Sequence, residues 1–289
     1  MKSIKSIFHI FFLIFYITSC SSGISQTQTT DLATMNLKGA VKQVKQFTYT
    51  AVEKFGEIQK GDFQPKIFGP ENQNMVLTFD KDGFTKEKRH YDKAGNYNGN
   101  TIVGYDEHKH RFTEISYNIN KDIDVSVRGI YNKEKRELNS TIHYHSINDS
   151  ATKIDFFDDF GRKIKTDWLG AKGKLTSRVI YKYDTRGNLI EETTYSSNGA
   201  LSSKTRNTFD GKNYKVQSET EYNSELKTYY FKYDNFGNVI EEYGGRPGDR
   251  VVKTIYKYKY DKNNNWIERV SYLYGELPVD FTERHIEYY

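Results

Sequence analysis

The chain has 289 residues, a formal net charge of +5 and 28% charged residues. An aromatic share of 15%, carried by 24 Tyr and 18 Phe, excludes a disordered chain and suits pleated, half-buried sheet. The positive charge is small and evenly spread, with no basic block, which excludes nucleic acid as a partner.

Residues 1–19 read as a signal peptide. Lys2 and Lys5 give a positive start, Ile7 to Ile17 an apolar run, and Thr18-Ser19 a small-residue exit before Cys20, the sole cysteine. Ile17-Thr18-Ser19-Cys20 resembles the bacterial lipobox. That resemblance implies cleavage before Cys20, acylation of Cys20, and membrane attachment through its lipid. Residues 20–35, rich in Ser, Thr and Gln, read as a flexible tether. Ser21 does not look like the Asp that signals inner-membrane retention. The expected location is therefore the cell envelope, at the outer membrane, with the side left open.

Residues 36–75 depart from the pattern that follows. Val41, Val44, Phe47 and Tyr49 suggest strands, and two Pro residues mark a loop. This stretch is expected to be an N-terminal cap on the first open edge.

Residues 76–289 are built on one unit. It is clearest as Tyr181-Lys182-Tyr183-Asp184-Thr185-Arg186-Gly187-Asn188-Leu189-Ile190-Glu191-Glu192. It recurs from Phe231 to Glu242 and, worn, from Tyr258 to Arg269. Shorter copies begin at Phe79, Tyr91 and Phe157. An aromatic precedes each turn, at steps of mostly about 11 to 15 residues, the spacing of an antiparallel meander. Asp after the aromatic starts a turn by bonding the backbone two residues on. Gly three positions later takes the left-handed conformation, and Asn264 substitutes for it. The prediction is an all-β chain of about sixteen strands in this region: one long curved meander of repeated hairpins, rolled into a half-shell or a partly closed barrel.

The unit resembles the YD repeat of the RHS family, and the chain resembles small exported YD-repeat lipoproteins. The resemblance implies fold and location. It does not extend to encapsulating a toxin, for which the chain is too short.

No nucleophile elbow, zinc-binding helix motif or phosphate-binding loop occurs, and neither a cofactor nor a metal site is expected. Glu191-Glu192 and Glu241-Glu242 alternate across a strand, so neither couplet is a catalytic dyad; they read as solvated positions. His143 and His145 share a strand face without a third ligand. Asp80-Lys81-Asp82-Gly83 has the opening of a calcium loop and lacks its distal Glu. Asp149-Ser150-Ala151 resembles an O-glycosylation acceptor. The aromatic ladder reads as core and cross-strand rungs, or as a ligand platform in which Trp168 and Trp266 are the exposed members, with Tyr183 and Tyr233 beside them. The expected role is a non-enzymatic binding module for protein or glycan. A structural scaffold or assembly factor of the outer membrane is the alternative, and a glycan-active enzyme, which would need a close carboxylate pair in a cleft, stands behind both. Function is expected where the repeat rule is broken: residues 36–75, the His143–Ala151 stretch, or the Gly244–Asp249 loop.

Overall fold

A computed structural model describes residues 30–63, 74–107 and 109–289. The expected signal peptide, Cys20 and most of the expected tether lie outside the described residues. One short helix, α1 (Asp31–Thr34), precedes nineteen strands running from β1 (Val41–Lys54), β2 (Glu57–Lys60) and β3 (Met75–Phe79) to β19 (Leu277–Tyr288).

Among the described residues every pairing is antiparallel, and all join chain neighbours except those of β1 with β19 and with β3. β1 pairs with β19 through Val41↔Tyr288 to Thr50↔Asp280, and with β3 through Gln43↔Thr78 to Gln46↔Met75. The meander therefore closes into a barrel of 18 strands, and β2 remains outside the ring as a hairpin on the end of β1. Closure is the stable solution because a long twisted meander would otherwise leave two unpaired edges. The expected cap is thus a wall strand. Val44, Gln46 and Thr48 are fully buried on it, and the residues expected to cap the first open edge pair with that edge, β3, and with β19 as well. The tail of the expected tether is also fixed. Thr30 caps α1 through its side chain, Leu32 enters the core, and Leu32 N–H donates to Gly83 O at 3.1 Å.

The hairpin unit explains both faces of the wall. In the pair β11 (Leu175–Tyr183) and β12 (Leu189–Ser196), Lys182 stands opposite Glu191 and Tyr181 opposite Glu192. The same two rungs recur as Lys232↔Glu241 and Phe231↔Glu242, and as Lys259↔Glu268 and Tyr258↔Arg269. Each motif thus writes an ion pair on one face and an aromatic–polar pair on the other. The registers carry one face continuously round the ring through Thr48, Thr282, Arg269, Ser218, Thr166, Asp155, Ser140 and Thr101, all buried. This is the inner wall. The opposite face carries exposed Lys182, Tyr230 and Ile130, the last 72% exposed.

The turns follow the expected chemistry. Asp184 Oδ1 accepts from the Arg186 and Asn188 amides at 2.9 and 2.8 Å, and Gly187 sits at φ +88°. Asn264 occupies the equivalent place at φ +61°. Turns of this kind, at Asp80, Asp106, Asp158, Asp184, Asp210, Asp234 and Asp261, gather at one rim, where β1 also begins. The N-terminal segment crosses that rim: Asn36 Nδ2 donates to Phe236 O at 3.0 Å, and Lys38 N–H to Asn265 Oδ1 at 2.8 Å. The core cluster of Leu32, Leu37, Val41, Val44, Met75, Leu77 and Phe79 lies beneath it.

Candidate functional site: the inner wall of the barrel

The inner wall carries polar and charged side chains with little exposure, among them Thr48 at 0%, Asp155 at 2% and Arg269 at 4%.

The outer wall is neutralised locally. Glu191 holds Lys182 and Lys204, both at 2.8 Å, from the strands on either side. Glu241 holds Lys232 and Lys253 at 3.0 and 3.2 Å. Asp167 accepts from Arg178 Nε and Nη2 at 2.6 and 2.8 Å. A bilayer-facing wall needs an apolar band about 25 Å tall, and midplane Arg or Lys costs about 2–4 kcal/mol. On these strands the outer wall carries paired charges instead of such a band.

The inner wall keeps its charge buried. Asp155, 2% exposed, accepts from Thr166 Oγ1 at 2.6 Å and pairs with Lys153 at 2.9 Å and Lys163 at 3.4 Å. Burial works against the Asp155 carboxylate, but Lys163 and Lys153 outweigh it and hold its pKa low. Burial pulls the Lys163 ammonium down against Asp155, and raises the Glu192 carboxyl. Burial also brings Lys215 down to about 8 and His90 to about 4, the latter helped by Lys88. Lys163 and Lys215 occupy equivalent positions just after the Asp158 and Asp210 turns. A bulge there turns each side chain inward.

The residues singled out from sequence fall in different places. Trp266 is not an exposed platform: it is 7% exposed, with Arg284 against its ring, because the bulge after the Asp261 turn drives it inward. Trp168 is half-buried on the inner wall. Tyr183 and Tyr233 are also half-buried, and their hydroxyls donate to Lys163 O and Lys215 O at 2.7 and 2.8 Å. Glu192 and Glu242 are not solvated like their neighbours; the alternation that parts each couplet points them inward. His143 and His145, rings 6.3 Å apart, bond to Ser150 at 2.7 Å and Ser126 at 2.8 Å. Asp80 serves its turn, with Oδ1 accepting from the Asp82 amide at 3.0 Å. No cluster of three metal-ligating side chains occurs among the described residues. Ser150 lies at the start of β9 (Asp149–Phe157) and is exposed.

Sequence reading missed Arg269, Arg284 and Gln46 as members of one group. Arg269 differs from its repeat counterparts Glu192 and Glu242, which was a legible signal. The meeting of β1 with β19 was not.

No protein-family model matches the chain, and no curated protein matches it. Among solved structures, it is similar to a porin-like protein from Bacteroides uniformis, at 11% identity and a TM-score of 0.46, with 86% of this chain and 99% of that one covered. It is also similar to a porin-like protein from Bacteroides vulgatus, at 13% identity and a TM-score of 0.36, over the same shares. A third likeness, to a chain in a TcdB2-TccC3-Cdc42 complex, has 10% identity and a TM-score of 0.22. It covers 72% of this chain and 19% of that one.

Proposed function

We propose that this chain is a lipid-anchored envelope protein of the YD-repeat kind. Its barrel serves as a non-enzymatic binding module that receives a protein or glycan ligand on the inner wall. The observation that carries the reading is the contrast between the two walls. The outer one is neutralised in cross-strand ion pairs, while the inner one holds buried cations, carboxylates and aromatic rings. Buried charge is costly to keep, and a barrel serving only as a spacer has no need of it.

The lipobox resemblance puts the anchor at Cys20, ten residues before Thr30. Asp31 Oδ2 accepts from Thr85 N–H and Tyr105 O–H, both at 2.7 Å, so the tether leaves from the rim of Asp turns. That rim then faces the membrane, at the outer membrane in this reading, and the opposite rim faces away.

The test uses the chain from Ser21 onward, which keeps every described element. Glycan arrays and pull-downs from envelope extracts should return a saturable ligand. Broad panels without any ligand would remove the reading.

A scaffold role has one observation in its favour. On the rim away from the tether, adjoining hairpin ends expose Phe55, Val251, Val252, Tyr274 and Leu277, an apolar patch suited to a standing partner. Crosslinking in cells would trap a stable envelope complex under this reading, and an isolated monomer would oppose it.

A further inference from the structure

Along much of the barrel the outer wall carries its charges in pairs: Asp167, Glu191, Glu241 and Glu268 each hold a lysine or arginine. One arc differs. On the outward faces of β6 (Arg111–Tyr117), β7 (Ile123–Asn132), β8 (Glu137–Tyr144) and β9, no ion pair occurs among the described residues. The alternation of β5 (Tyr97–Tyr105), β6 and β7 turns Ile102, Ile115 and Ile130 outward instead. Ile102 stands opposite Ile115, and Ile115 opposite Ser126. Ile130 is in mid-sheet, opposite Asn139, and still 72% exposed.

Ile115, Ile130, Asn139 and His143 border a groove of about 580 Å³. Arg128 lines the same groove, exposed, between Thr113 on β6 and Thr141 on β8. Its guanidinium has no ion pair or hydrogen bond among the described residues. The nearest carboxylates on this face of β7 and β8, Asp124 and Glu137, are two rungs away in opposite directions. At one end of the groove the His143 and His145 rings are each bonded to a serine hydroxyl.

We propose that this groove binds a small anionic amphiphile, with its apolar body on Ile115 and Ile130 and its carboxylate or sulfate head on Arg128. The site lies on the other face of the wall from the proposed ligand surface and does not depend on it. The volume is that of a small-molecule site. A guanidinium without a counter-charge offers a planar fork to an oxyanion. The exposed isoleucines gain by being covered with an apolar chain. A peptide suits the groove less well. β7 is paired on both sides, so no free edge meets a peptide backbone, and peptide amides would be pressed unpaired against isoleucine. A sugar finds no Tyr, Phe or Trp among the residues lining the groove on which to stack.

The experiment is a calorimetric titration of the chain from Ser21 onward with decanoate, decyl sulfate, decanol and decyltrimethylammonium. These share one tail and differ in the head, and each is kept below its micelle concentration. Arg128→Gln and Ile130→Thr are run in parallel, and circular dichroism and melting establish that each is folded. At least one of the two anions should bind wild type at a single saturable site, about tenfold more tightly than decanol, and the cation more weakly still. Arg128→Gln should weaken the anion about tenfold and leave decanol unchanged. Ile130→Thr should weaken anion and alcohol alike, by about fivefold. If Arg128→Gln does not fold, the comparison of heads on wild type decides. The inference is overturned if neither anion binds saturably, if Arg128→Gln binds the anion as wild type does, or if the cation binds equally well. Binding to phosphatidylglycerol vesicles without binding of the free anions would assign Arg128 to a lipid surface and also overturn it. Capture of glycan or protein by the inner wall is read separately, by the arrays and pull-downs, so either reading can fail while the other stands.

Discussion

Asp184 and Gly187 divide the work of a turn: the carboxylate fixes the loop, and the glycine takes a backbone angle that a Cβ resists. A Cβ at Gly187 would meet nothing within 4 Å, so substitution there isolates the conformational cost. Gly187→Val should lose about 2 kcal/mol in urea unfolding and Gly187→Asn well under half of that, as Asn264 already indicates. Phe55 is the reverse case. It is fully exposed at φ +55°, just before Gly56 at φ +81°. Phe55→Asn should raise stability by about 1 kcal/mol, because Asn-Gly suits this hairpin turn. His90 carries the pH dependence at this scale. Its folded pKa of about 4 lies below the ordinary value of 6.5, so the unfolded chain binds more protons between the two. The neutral ring's contribution is complete above about pH 6.5 and is lost as pH falls toward 4. Denaturant titrations at pH 7.5, 6 and 5 should show His90→Gln losing less stability over that range than wild type.

Hairpins join into a wall because each motif writes its pairs in register. Glu191 clamps three strands at once, through Lys182 on β11 and Lys204 on β13 (Leu201–Phe209). The hydrogen bonds from Lys182 and Lys204 hold its pKa down to about 2. A depressed carboxylate stabilises the fold above its ordinary range, and that contribution is lost as pH falls through the folded value. Glu191→Gln should therefore cost about 1 kcal/mol at pH 7, and the gap from wild type should narrow between pH 5 and pH 2. A gap that does not change with pH would show that the clamp is not electrostatic. The same spacing places Tyr181 and Glu192 inside, so one short motif sets both walls.

Closure belongs to the whole molecule. Among the described strands β1 and β19 are the pair that meet from far apart in sequence, and removal of β1 frees the edges of β3 and β19 together. A chain beginning at residue 76 should therefore self-associate, with light scattering reporting species above the monomer, because free edges pair with one another. A folded monomer from that deletion would contradict closure by β1. The chain from Ser21 onward should instead stay monomeric without detergent, since its outer wall is charged.

The hairpin, the turn chemistry, the strand spacing and the parting of Glu191 from Glu192 are legible in the residues alone, because these depend on neighbours within about 15 residues and on the period-two alternation of a strand. Phe79, Tyr91, Tyr105, Tyr117, Tyr144, Phe157, Tyr183, Phe209, Tyr222, Tyr233 and Tyr260, eleven of the aromatics expected to end strands, do so. Which face is inside, the covering of Trp266 and the meeting of Arg284 with Gln46 follow from the closed ring. Residues 36–75 looked like a cap because nothing local marks a strand whose partner lies more than two hundred residues away. That pairing is set by twist and by the cost of open edges, which act on the whole meander and leave no signature in any single unit.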